Sequence, residues 1–130
     1  MSATSAGELL DVARRLSAYP PADLAGRWPR AVALLTRQSL EIAIDDFWAD
    51  RATAVAQSRA WRPKLLCLET YLKDPELGRE INQLWAALSR ACHVHAYELD
   101  PTIDELRGWM DAVTEVELQL RTDLTSTTAP

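Results

Sequence analysis

Four start signals divide this chain into helical segments, and they constrain its fold more than any other feature. Ser5-Ala6-Gly7-Glu8 and Thr102-Ile103-Asp104-Glu105 both have the capping-box form, a hydroxyl residue with glutamate three positions on. Pro29 suits the first turn of a helix, and Asp74-Pro75-Glu76 supplies an N-cap, a first-position proline and an acid in the first turn. Stop signals lie between them. Tyr19-Pro20-Pro21 ends the first segment, because proline disfavours helical geometry in the residue before it, and Asp100-Pro101 does the same before the last.

Between the signals, apolar residues recur at helical spacing. Leu9, Leu10, Ala13 and Leu16 share a side of the first segment, which runs to about Ala18. Val32, Leu35, Ser39, Ile42 and Phe47 mark a long second segment ending near Arg51. A short helix starting at Pro63 carries Leu65, Leu66, Leu68, Tyr71 and Leu72. Leu77, Ile81, Leu84, Leu88, Ala91 and His95 line the next segment, and Leu106, Trp109, Met110, Val113, Val116 and Leu120 the last. Nowhere do apolar and polar residues alternate long enough to suggest a sheet. The expected fold is all-α, an antiparallel bundle of four to five helices. It forms one domain over residues 1–124, followed by a disordered tail at 125–130.

Composition narrows the function classes. A chain of 130 residues can bury a core without disulfides or metals. Its net charge of −5 argues against sequence-tolerant duplex DNA binding, which calls for a basic protein. Cys67 and Cys92 sit apart in apolar helical patterns and read as buried free thiols in a reducing compartment. No signal peptide and no apolar run long enough for a membrane span is evident, so a cytoplasmic location is expected. The five tryptophans read mainly as core anchors. One or two would suit a subunit interface, and a tryptophan-lined ligand pocket is a further reading.

The chemistry concentrates in Arg90-Ala91-Cys92-His93-Val94-His95, which holds both histidines of the chain. If the helix continued through this stretch, Arg90 and His95 would be separated by roughly 140° and Arg90 would lie nearer His93. His95 would fall on the core stripe. Cys92, His93 and His95 would diverge, so together with Cys67 they make a poor zinc set, and no metal or other cofactor is expected. Asp45, Asp46 and Asp50 fit neither a di-iron nor a calcium pattern and read as a solvated helix face. Trp61 among Arg59, Arg62 and Lys64, and Trp28 between Arg27 and Arg30, have the basic–aromatic interleaving of a nucleic-acid strand site. Solvated linkers, each with a tryptophan tucked against the protein, are the simpler reading.

Arg90, four intervening residues, His95, a polar break and a capped final helix resemble the HEPN superfamily of small helical domains. The resemblance runs from the segment at Pro75 through the last helix, and loosely to the long second helix. It implies a homodimer in which motifs from both protomers meet in one cleft. It also implies metal-independent cleavage of single-stranded RNA, as in toxin, defence or RNA-processing systems, with an antitoxin or other protein partner. Arg90 would hold the phosphate and His95 would act as acid/base, with His93 and Tyr97 as auxiliaries. Ala91 departs from the pattern, since the family commonly has a polar residue after the arginine. The alternative is a noncatalytic dimerising or partner-binding bundle with His95 as a structural core residue.

Overall fold

The computed structural model describes residues 4–24, 26–93 and 99–127, and among these every regular element is helical. In chain order they are α1 (Ala6–Ala18), a 3-10 turn (Ala22–Leu24), α2 (Trp28–Arg51), α3 (Thr53–Ala56), α4 (Trp61–Leu66), α5 (Leu68–Tyr71), α6 (Pro75–Cys92) and α7 (Ile103–Thr127). α7 therefore extends past residue 124, where the sequence reading set the end of the ordered domain.

Three of the four start signals operate through the hydrogen bonds expected of them, while α2 opens with Pro29 in its first turn and no side-chain cap. Ser5 Oγ accepts from Glu8 N at 3.1 Å, and Glu8 Oε2 accepts from Ser5 N at 3.4 Å. Thr102 and Glu105 form the same reciprocal pair at the head of α7, at 3.1 and 3.0 Å. Asp74 Oδ1 accepts from Glu76 N at 3.0 Å and opens α6. Each bond satisfies an amide that the helix itself leaves without a partner.

α2 packs against α1, α6 and α7, and this contact set builds the core. Its buried positions come in adjacent pairs: Val32 and Ala33, Ser39 and Leu40, Ala43 and Ile44, Phe47 and Trp48, with Thr36 between the first two. Paired positions every three to four residues widen the buried face enough to serve neighbours on more than one side. Leu35 and Ile42, which the sequence places on the inward stripe, flank this face and are only half-buried. Leu10 and Ala13 of α1, Leu77, Ile81 and Leu88 of α6, and Leu106, Met110, Val113, Val116 and Leu120 of α7 complete the core.

Polar groups inside the core are satisfied across elements. Ser39 Oγ donates to the Ala6 carbonyl at 2.7 Å, joining α2 to the first turn of α1. Trp48 is fully buried, and its indole N–H donates to the Lys64 carbonyl at 3.0 Å. Its ring meets Phe47 and Tyr71 edge-on, with centroids 5.1 and 4.9 Å apart. Of the five tryptophans it alone is fully buried; Trp28, Trp61, Trp85 and Trp109 are half-buried against the core.

The segment after α2 differs from the sequence reading. α4 starts at Trp61, two residues before Pro63, and a turn at Cys67 separates it from α5. Lys64 is 5% exposed, not solvated. Its Nζ lies 2.8 Å from Asp45 Oδ1 and 4.4 Å from the Trp61 ring centroid. The lysine is committed to a carboxylate and an aromatic face, so it is not free to hold a nucleic-acid strand. Asp45 likewise is a structural ion-pair partner and not simply part of a solvated face.

Candidate functional site

The motif corner is built where α6 ends, against the start of α2 and the approach to α7. α6 stops at Cys92, and His93 has extended geometry with φ −82° and ψ 139°. The sequence reading carried this helix on through His95. The terminus is held from a distance: the Arg30 guanidinium, on α2, donates through Nη1 to the carbonyls of Ala91, at 3.3 Å, and His93. Arg30 Nε lies 3.1 Å from Asp100 Oδ1 on the approach to α7. One side chain thus donates to the Ala91 carbonyl in α6 and the His93 carbonyl at its C-cap, and pairs with an acid beyond them. The placement also suits the negative end of the helix dipole.

Arg30 stands between two open concavities. The first, about 300 Å³, has Arg90, Ala91, Leu99, Pro101, Glu105 and Trp109 among its lining residues. The second, about 790 Å³, includes Arg27, Leu34, Arg37, Cys92, His93 and Asp100. Arg90 and His93, which helical spacing would pair, therefore line different concavities. The physical reason is the end of α6 at Cys92: beyond it the backbone no longer turns about 100° per residue. The zinc argument from helical divergence does not apply to His93 for the same reason. Among the described residues no group of three or more His, Cys, Asp and Glu is placed to hold a metal.

Arg90 is exposed in the last turn of α6, and its side chain makes no hydrogen bond or ion pair among the described residues. His95 and Tyr97, the proposed acid/base and one auxiliary, lie outside those residues. His93 is exposed and serves as the C-cap of α6, its backbone N–H donating to the Arg90 carbonyl at 3.2 Å.

Electrostatics distinguish the second concavity. Arg27, Arg30 and Arg37 line it together with one acid, Asp100. Arg37 Nε is buried without a hydrogen-bond partner and lies 3.8 Å from Glu41 Oε2, which instead accepts from the Trp85 indole N–H at 3.0 Å. Burial pushes the Cys92 thiol above its ordinary range; Arg37 and Arg30 oppose the shift and Glu41 adds to it. The thiol is half-buried, less enclosed than the apolar pattern suggested, and the upward shift works against the thiolate that nucleophilic attack or metal binding needs.

Sequence reasoning did not anticipate Arg37 at all, and it weighed Arg30 only with Arg27 and Trp28 as a possible strand site, not beside the motif. Both lie on α2, more than fifty residues before the motif, and only packing brings them to it. The tryptophan-lined pocket, a further reading beside that of core anchors, is not the larger concavity, among whose lining residues none is tryptophan; Trp109 lines the smaller one.

Comparison with family models, with curated proteins and with solved structures finds no match to this chain.

Proposed function

We propose that this chain is a HEPN-like helical bundle that cleaves single-stranded RNA without a metal ion, working as a cytoplasmic homodimer. The observation that carries the reading is Arg90: an exposed guanidinium, uncommitted among the described residues, in the last turn of α6 and beside an open concavity. An arginine with nothing to neutralise is available for a phosphate, which it can grip bidentately without titrating. Because α6 ends at Cys92, the 140° separation expected on a continuous helix no longer weighs against Arg90 and His95 serving one site. In the dimeric form of the reading, Arg90 works with His95 of the partner subunit.

The chemistry balances without a cofactor. A histidine takes the proton of the ribose 2′-hydroxyl as that oxygen attacks phosphorus. Arg90 stabilises the negative charge that gathers on the phosphoryl oxygens. The bond to the 5′-oxygen breaks, and that oxygen receives a proton from a histidinium. The products are a 2′,3′-cyclic phosphate and a 5′-hydroxyl, and the requirement for a 2′-hydroxyl confines the reaction to RNA. His93 and Tyr97 are the auxiliary candidates.

The test uses purified protein, single-stranded RNA and excess EDTA. Wild-type cleavage that disappears in both Arg90→Gln and His95→Ala, with folding retained, supports the reading. Equal cleavage by all three proteins, or none by wild type, overturns it.

A second reading, a noncatalytic bundle that dimerises or binds a protein partner such as an antitoxin, rests on a separate observation. Leu99 is 96% exposed beside the concavity that Pro101 and Trp109 help line. An exposed leucine next to a half-buried tryptophan suits a protein contact. On this reading His95 is a core residue, and His95→Ala lowers stability by about 1–3 kcal/mol without affecting any RNA readout.

A further inference from the structure

The larger concavity has a character of its own. It combines cations with an apolar wall in a chain that is acidic overall. Leu34 is 38% exposed and shares the lining with Ala31 and Cys92. Around them stand three guanidiniums that differ in what they already hold. Arg30 is spent on the end of α6 and on Asp100. The Arg27 side chain is exposed and has no hydrogen bond or ion pair among the described residues. Arg37 is mostly buried, with its side chain 24% exposed, and its contact to Glu41 is a 3.8 Å approach without a hydrogen bond.

Arg37 lines the concavity and keeps 24% of its side chain exposed, and its approach to Glu41 is not a hydrogen bond, so it presents an incompletely neutralised guanidinium there. Arg27 supplies a second fork of donors at the same cavity, and planar forks suit carboxylate and phosphate oxygens. The volume of about 790 Å³ lies within the range of small-molecule sites, far beyond what an inorganic anion fills. The apolar wall would then cover the rest of the molecule.

We infer that this concavity is a binding site for a small organic anion, with a carboxylate or phosphate head held by Arg27 and Arg37 and an apolar body laid on Leu34. The site is separate from the Arg90 concavity. Arg30 lies between the two, so occupancy would be felt at the end of α6.

Isothermal titration calorimetry on the full chain provides the test, with 1-naphthyl phosphate, 1-naphthoate, neutral 1-naphthol and inorganic phosphate as probes and no RNA present. At least one naphthyl anion is expected to bind, with naphthol and inorganic phosphate weaker by about tenfold or more, as for a lost charge-assisted contact or a lost apolar body. The stronger of the two naphthyl anions identifies the head group. Arg27→Gln changes an exposed position, Leu34→Asp one that is 38% exposed, and circular dichroism checks that both fold. Each is expected to weaken the anion by about tenfold or more, and Arg37→Gln likewise. Arg62→Gln, an exposed arginine away from the cavity, controls for net charge and should leave binding unchanged. Naphthol binding as tightly as the anions would overturn the assignment. So would equal losses in Arg62→Gln and Arg27→Gln, or no anion binding at millimolar concentration.

Discussion

Single side chains here differ in whether their charge is spent inside the molecule or left for something outside it. Arg90 and Arg27 are exposed and uncommitted among the described residues, whereas Arg30 holds the end of α6 and Lys64 is enclosed by Asp45 and Trp61. That contrast makes Arg90→Gln a clean test. On the proposed RNA-cleaving reading it should abolish cleavage, while leaving the melting temperature within about 2 °C of wild type, because an exposed side chain unpaired among the described residues contributes little to folding. Loss of cleavage accompanied by loss of fold would show that Arg90 is structural instead. Asp46 gives a pH-dependent prediction. Burial first, then Asp45 and Asp50, raises its carboxyl above the ordinary aspartate value. The unfolded chain therefore gives up this proton at lower pH than the folded chain. Stability is lost as pH rises through that window and stays lower above it. Asp46→Asn should melt at a higher temperature than wild type at pH 7, and the difference should shrink as pH falls below the unfolded aspartate value. A difference independent of pH would rule out this origin. The side chain is largely exposed, so the gain is expected to be small.

At the scale of elements, two contacts decide how the helices sit. Gly78 of α6 lies so close to α5 that a Cβ there would meet Glu69 N at 2.9 Å and Glu69 Cα at 3.0 Å. Alanine is the better helix former by about 1 kcal/mol, yet backbone atoms cannot swing aside as a side-chain tip can. Gly78→Ala should therefore destabilise the protein, by about 1–3 kcal/mol in urea unfolding. A stabilised variant would mean that α5 shifts freely. The second contact is the grip of Arg30 on α6. Arg30→Met keeps much of the aliphatic stem but removes the donors to Ala91 and His93 and the pairing with Asp100. The expected cost is about 1.5–3 kcal/mol, measured the same way. Helix starts were legible in the sequence because a capping box is complete within four residues: Ser5 with Glu8, and Thr102 with Glu105, need nothing from elsewhere in the chain. The end of α6 was not legible, since the groups that satisfy its last carbonyls come from Arg30, sixty residues earlier in the chain.

At the scale of the whole molecule, distant ion pairs tie the far ends of the long helices together. Arg51, closing α2, lies 2.9 Å from Asp123 in α7, and Asp123 Oδ1 also accepts from the Lys73 backbone N–H at 3.3 Å, just ahead of α6. The Asp123 side chain is 8% exposed and that of Arg51 17%. Asp123→Ala would remove the carboxylate from a largely enclosed guanidinium that keeps its bond to the residue-123 carbonyl and its place over the Phe47 ring, at an expected cost of about 1–3 kcal/mol in chemical denaturation, with unfolding still a single transition. A loss under about 0.5 kcal/mol would show that water replaces the carboxylate. The sequence by itself determined the all-helical character, the four main helix starts and most of the inward positions of α1, α6 and α7, because these follow from local hydrogen bonding and the 3.6-residue period. It also offered Arg90, with His95, as a candidate site residue. Tertiary structure alone decided that α6 stops at Cys92, that Arg90 and His93 line different concavities, and that Arg27, Arg30 and Arg37 gather around one of them. Those outcomes depend on packing between segments far apart in the chain, where no local pattern records which side chain will satisfy which distant backbone group.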